Sequence, residues 1–487
     1  MNNRKQNESK RYAGRLKIAM ISLLILAVMA FNSCKKFVTI DPPATILTEG
    51  AVFEDVGTAT GAQLAIYKGM FDNAESMYAG LRFGFLSDEL QNYSNDAALR
   101  SLYVNAVTPS NALGWGHPYN YIYQANAVIE GLGSSKSVDA PVKNQLTGEA
   151  LFVRAFWHFY LTGWYGDIPL VTSTDYKINS NAARAPQMNV YRQIISDLQD
   201  AKRLLNSNYV DQSDTAAITT ERVRPNIAAA EALLARTYMF AGEYDSAEAE
   251  ATQVINNPLY VLEPDLNNVF LVGSQEAIWQ LETPQPNNTN TRDGDLFILI
   301  AAPSTTTDHP ATISTQLMSS FEPGDNRQTN WLGTYTNNAV TPALNYYFPY
   351  KYKVYKSPNI SEYTMVLRLA EQYLIRAEAR VQQGNWSGAL SDLNVIRHRA
   401  GLGDYAGATD KVSLLAAILH ERQVELFAEW GHRWLDLVRT KNANAVMSIV
   451  CPQKGGTWDT DGHQQLLPIP QSEILKDVNL TQNPGYF

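Results

Sequence analysis

Three groups of residues in this 487-residue chain have types and spacings that suggest chemistry. Glu421, Glu425 and Glu429 recur every four residues beside Arg422, His432 and Arg433. A pair of carboxylates at suitable separation is all a glycosidase needs, but the spacing equally makes one charged helix face with internal pairing. His420-Glu421 continues as Arg-Gln-Val, so the second histidine of a zinc HExxH helix is missing. No G-x-S-x-G elbow or Walker loop occurs, and Asp459-Thr-Asp461-Gly462 opens like a calcium loop without its remaining ligands. The residues point to no catalytic machinery, metal or cofactor.

Cys34 is the second group. Arg4, Lys5, Lys10, Arg11, Arg15 and Lys17 precede the apolar run Ile18 to Phe31. At 1.5 Å per residue that run spans about 21 Å as a helix, short of a hydrocarbon core of about 30 Å. It reads as a cleavable secretory leader over residues 1–33. Ser33 before Cys34, with Ala27 and Ala30 upstream, is similar to a bacterial lipobox, although Phe31 and Asn32 depart from the usual pattern. A diacylglyceryl thioether on Cys34, usually joined by an N-acyl chain such as palmitate, would hold the mature chain at a membrane. Residues 34–45 then form a Lys- and Pro-bearing tether. Without the leader the chain keeps 33 basic and 47 acidic residues, which argues against a nucleic-acid partner.

The third group is aromatic. Trp331, Tyr335, Tyr346, Tyr347, Phe348 and Tyr350 crowd a stretch, residues 283–352, rich in Asn, Thr, Pro and Gly, and Tyr93 and Tyr103 lie in an earlier polar segment. Sugar rings present apolar C–H faces that stack on aromatic rings, while Asn, Asp and Arg bond the hydroxyls. Such a surface binds glycans without reacting with them. The alternative is that these rings fill a small core beneath the loops.

The elements that must carry these groups are mostly helical. Apolar residues recur at i, i+3, i+4 and i+7 over 150–164, 190–205, 227–240, 365–382 and 412–430, and Ala277 to Leu281 is the best strand signal. At an offset of 142 residues, Ala235, Gly242, Tyr244, Ala247 and Val254 fall on Ala377, Gly384, Trp386, Ala389 and Ile396. Small residues that admit close helix approach, with Gly ending the first helix, are the physics of a tetratricopeptide unit. Glu378 and Arg236 ride on these helices as a solvated or paired face. Residues 46–487 read as one mainly α domain with a loop-rich insertion at about 283–352.

Several stretches together resemble the SusD/RagB family, surface lipoproteins of Bacteroidota. They are SCKKFVTIDPP at 33–43, LRFGFLSDEL at 81–90, GEALFVRAFWHFYLTGWYGDIPLV at 148–171, YLIRAEARVQQGNWSGALSDLNVIRHRAGL at 373–402 and HERQVELFAEWGHRWLDLVR at 420–439. The resemblance implies a SusD-like fold on tetratricopeptide-like pairs, with a few short strands and a loop-rich ligand face. It implies a non-enzymatic, lipid-anchored outer-membrane protein, facing the cell exterior, that hands oligosaccharides to a SusC-like TonB-dependent transporter. Peptide uptake, and an adaptor role without a ligand, are its alternatives. Arg82 looks placed like an arginine that contacts glucan in the starch-binding member, whose following tryptophan has no counterpart here. The expected ligand contacts are Arg82, Asp88, Tyr93, Tyr103, Trp331, Tyr335, Tyr346 and Tyr347.

Overall fold

The computed structural model describes residues 49–486 apart from 214, 285–287 and 460, together with Met20. Cys34, the leader and the tether lie outside the described residues. From Val52 onward the chain forms one compact unit. No helix among the described residues is long and apolar enough to cross a membrane.

Eleven principal helices organise that unit: α1 (Val56–Asp72), α2 (Glu75–Leu86), α3 (Gly116–Ser134), α4 (Ala140–Tyr165), α5 (Gln187–Leu204), α6 (Ile227–Ala241), α7 (Tyr244–Asn256), α8 (Leu369–Gln382), α9 (Trp386–Arg399), α10 (Lys411–Leu426) and α11 (His432–Arg439). From α3 to α9 each packs on the next. Between α4 and α5, Arg154 makes a two-pronged pair with Asp197 at 2.6 and 2.8 Å. Helix α4 is buried almost all round from Gln145 to Tyr165, as a helix surrounded by others is. Its Phe156 ring meets Trp279 at 5.6 Å and Trp430 at 5.3 Å. Gly166, at φ +73°, stops it.

The repeat expected from the sequence is present as two helical hairpins, α6–α7 and α8–α9. Gly242 and Gly384 cap their first helices at φ +77° and +83°, a left-handed geometry that suits glycine. Ala235, Ala247, Ala377 and Ala389 are buried between them. Glu378 and Arg236 are not solvated: Glu378 receives Arg439 at 2.6 and 2.7 Å, and Arg236 donates to Glu371.

Six strands matter here: β1 (Leu90–Asn92), β2 (Ala277–Leu281), β3 (Ala311–Ile313), β4 (Leu332–Asn337), β5 (Leu344–Pro349) and β6 (Thr364–Arg368). They pair antiparallel as β1–β3, β2–β6 and β4–β5. The helix read over 365–382 therefore begins only at Leu369. Met365 to Arg368 extend along β2 instead, since a short, wholly buried apolar run suits either conformation and the neighbouring strand decides. The helix read over 412–430 ends at Leu426, where Ala428, Trp430 and Gly431 take positive φ. Residues 283–352 contain the β4–β5 hairpin, β3, and the short helices Arg292–Phe297, Thr315–Ser320 and Asn326–Trp331.

Candidate functional site

The β4–β5 hairpin sorts its aromatics by strand alternation. Tyr335 stands opposite Tyr346 and Gly333 opposite Phe348, and these face a small apolar cluster of Ile298 and Leu299. A side chain at Gly333 would run into the Phe348 ring, with its Cβ 2.3 Å from ring carbons. Tyr347 pairs with Thr334 on the other face and is 39% exposed. Beside the hairpin, the β1–β3 ladder presents Tyr93, whose ring meets Tyr346 edge-on at 5.7 Å. Tyr103, at the end of the helix Ala97–Tyr103, donates to Gln91 Oε1 at 2.6 Å. Burial raises the pKa of both phenols. Tyr346 adds a smaller push on Tyr93, and Tyr93 on Tyr103, so the rings form a neighbouring series.

What holds this series is a buried ionic cluster at the hairpin's base. Tyr350 N–H donates to Trp331 O at 2.7 Å where the two strands leave the scaffold. Arg327, one turn earlier, grips Asp325 and donates to Glu425 at 3.0 Å. Arg368, at the end of β6, makes a two-pronged pair with Glu429 at 2.9 Å and reaches Glu276 at 2.9 Å. Arg399 donates to Glu276 at 2.6 Å and also pairs with Glu425. These arginines hold the Glu425 carboxyl well below the usual range against the opposing effect of burial. Glu421, Glu425 and Glu429 are thus neither a solvated face nor paired within their own helix. Arg422 turns to Asp436 and Arg433 to Asp88. The carboxylate spacing bolts the loop-rich segment onto α10.

A cleft of about 360 Å³ opens on the same side, lined by Met77, Asp295, Leu296, Asp308, His309, Tyr355 and Lys356. Tyr355 packs on the Ile298, Leu299 and Phe348 cluster that also supports Tyr335, Tyr346 and Tyr350. Cleft and tyrosine series therefore share one apolar floor. His309 holds a left-handed backbone at φ +49°, a cost of about 1 kcal/mol for a residue with a Cβ. Its Nδ1 lies 2.8 Å from the Leu296 carbonyl, which can only accept, so Nδ1 carries the proton and Nε2 is left as an acceptor. The ring stands 5.5 Å from Tyr355. A larger groove of about 570 Å³ lies among α6, α8, α10 and α11, away from these rings, and its Arg439 is tied to Glu378.

Of the residues expected from the sequence, Tyr93, Tyr103, Tyr335 and Tyr346 come together. Three others do not join them as ligand contacts. Trp331 is fully buried and donates to Leu266 O at 2.9 Å, so it is a core residue. Asp88 is buried against Arg433 at 2.7 and 2.8 Å, a scaffold pair. Tyr347 points to the opposite face of the hairpin. Arg82 lies over the Tyr78 ring at 4.4 Å, and its buried Nε has no hydrogen-bond partner among the described residues. It borders a cavity of about 10 Å³ with Glu75 and Trp164. Nothing in the sequence spacing of Asp295, Asp308, His309 and Tyr355 marks them as a group; the fold brings them into one cleft.

Comparison with known proteins completes the description. A family model described as the SusD family matches residues 287–486, and one described as starch-binding, associating with the outer membrane, matches residues 66–239. SusD-like protein P2 of Formosa agariphila is 27% identical over 424 residues, 76% of this chain and 80% of its own. The crystal structure of a SusD superfamily protein from Bacteroides vulgatus superposes with a TM-score of 0.75 at 21% identity, covering 89% of this chain and 99% of that one. A laminarin-binding SusD-like protein gives 0.71 at 24% identity, covering 88% and 99%.

Proposed function

The chain belongs to the SusD/RagB family, and from that premise we propose that it binds a glycan, without cleaving it, at the tyrosine series and adjoining cleft. One observation carries this reading: Tyr335 and Tyr346 on the β4–β5 hairpin, Tyr93 just after β1 and Tyr103 at the end of a short helix are half-buried rings, beside a cleft walled by Tyr355. Half-buried rings keep one part fixed and another free to stack. The polar neighbour Gln91, bonded to Tyr103, can bond hydroxyls at the same surface.

The relatives support the ligand class, since one matching family model is described as starch-binding and one structural neighbour binds laminarin. On this reading Cys34 carries a lipid anchor, residues 34–45 are the tether, and the binding unit starts near residue 46. The anchor keeps the unit at the outer membrane, facing outward, where a SusC-like transporter takes up the captured oligosaccharide. Arg82 remains a ligand candidate at the small crevice it shares with Glu75 and Trp164.

Affinity electrophoresis of the full-length protein through gels holding single polysaccharides tests the reading. Retardation by at least one glycan, reduced when Tyr346 or Tyr355 is replaced by Ala, is the expected result. Silence across the panel with binding to peptides would transfer the site to peptide uptake. Silence toward both, with transporter assembly intact, would make the protein an adaptor.

A further inference from the structure

The lining of the cleft is unbalanced in hydrogen-bonding capacity, and this constrains what can enter it. The Asp295 and Asp308 carboxylates accept only. His309 has its one neutral-state proton on Nδ1, bound to the Leu296 carbonyl, so its Nε2 also accepts. The single amine, Lys356, is already drawn to Asp295 at 3.5 Å and lies 4.7 Å over the Tyr355 ring. Two carboxylates against one shared ammonium leave the cleft net negative, within a chain of formal net charge −9.

From this acceptor excess we propose that the cleft selects saccharides carrying no anionic group and rejects uronate- and sulfate-bearing ones. The inference rests on the glycan-binding reading above and narrows its ligand class. Sugar hydroxyls supply the donors that Asp295, Asp308 and His309 Nε2 lack, and the C–H face of a ring lies against Tyr355. A carboxylate or sulfate placed in the same position supplies no donor and meets two like charges, a juxtaposition that disfavours the wrong partner. The His309 Nδ1 bond to the Leu296 carbonyl fits this role, because it orients the ring and leaves Nε2 as an acceptor before a ligand arrives.

The test uses chemically matched polysaccharide pairs at fixed ionic strength with the full-length protein: hydroxyethylcellulose against carboxymethylcellulose, dextran against dextran sulfate, and methyl-esterified pectin against polygalacturonate. At least one uncharged member should bind, with its anionic counterpart weaker by about tenfold or more. Asp308→Asn should weaken the uncharged ligand by up to about tenfold through loss of one charge-assisted bond. Asp308→Lys should shrink the gap between the pair. Asp308 is exposed, so neither change endangers folding. Anionic members binding as tightly as their uncharged partners would overturn the selectivity and leave glycan binding intact. No binding to any saccharide would overturn the glycan reading, and this inference with it.

Discussion

The Lys351 ammonium sits 4.8 Å from the centre of the Trp331 ring and 4.0 Å from that of Phe427, and it donates to the Glu425 carbonyl at 2.8 Å. Trp331 immediately precedes the β4–β5 hairpin and Lys351 closely follows it. One cation therefore clamps both feet of the element that carries Tyr335 and Tyr346. Burial pulls the Lys351 pKa down to about 8, against the opposing charge of Glu429, so the clamp still carries its proton at neutral pH. The aromatic face thus stands on a base that is both buried and ionic.

Trp331→Ala should therefore act on folding before it acts on ligand. It removes a fully buried indole and its bond to Leu266 O, a loss of about 3–5 kcal/mol. Trp331→Phe should recover most of the packing and lose only the Nε1 bond. Urea denaturation of both variants, beside glycan binding of the Phe variant, checks this. A Trp331→Ala protein of unchanged stability that no longer binds glycan would make Trp331 a ligand contact after all.

Tyr346→Ala and Tyr355→Ala should show the opposite pattern. Both rings are only partly buried, on the rim of the small Ile298, Leu299 and Phe348 cluster. Each is expected to weaken binding about tenfold, the size of one well-placed aromatic contact, while unfolding midpoints move little. Tyr347→Ala, on the other face of the hairpin, is the control that should bind as the parent does. Calorimetry on the polysaccharide that retards the parent protein makes the comparison.

These contrasts show which parts of the molecule can be read from residue order. The paired helical hairpins were legible because their signals are local: Gly242 and Gly384 mark helix ends, and alanines at 235, 247, 377 and 389 mark the close faces. The tyrosines at 93, 103, 335 and 346 were legible because aromatic rings in a polar stretch stand out. Asp88 and Trp331 misled for a shared reason. Their partners are far along the chain, Arg433 for one and Leu266 with Lys351 for the other, and no short-range pattern announces a distant ion pair or cation–ring contact. The strand Met365 to Arg368 was hidden by the ambiguity of a short apolar run, settled only by pairing with β2.

On the proposed reading, the membrane address depends on Cys34. Cys34→Ala should abolish acylation and move the protein out of the detergent phase in a phase-partition assay. Several acyl chains contribute about 0.8 kcal/mol per buried methylene, so their loss should be all but complete in effect. Undiminished membrane retention of the variant would mean that the apolar run 18–31 anchors the chain instead.

Glu89 gives the molecule a pH dependence whose sign follows from its surroundings. It is buried just before β1; its Oε2 accepts the Ala428 N–H at 3.4 Å, and its Oε1 has no hydrogen-bond partner among the described residues. Burial, and next the neighbouring Asp88 charge, raise its pKa to about 8. The folded state thus holds a proton that the unfolded chain releases near pH 4.5. Below that pH both states are protonated and the group is neutral in its effect. As pH climbs toward 8 the folded state is progressively disfavoured, by on the order of a few kcal/mol. Glu89→Gln should remove this contribution, so its stability relative to the parent should rise between about pH 4.5 and 8 and level off above. Taking the difference between the two proteins cancels the other shifted groups, including Asp293 at about 7 and Lys454 at about 7. Urea titrations at pH 5, 7 and 8.5 measure it, and a constant difference across the three would show that Glu89 titrates as an ordinary carboxylate.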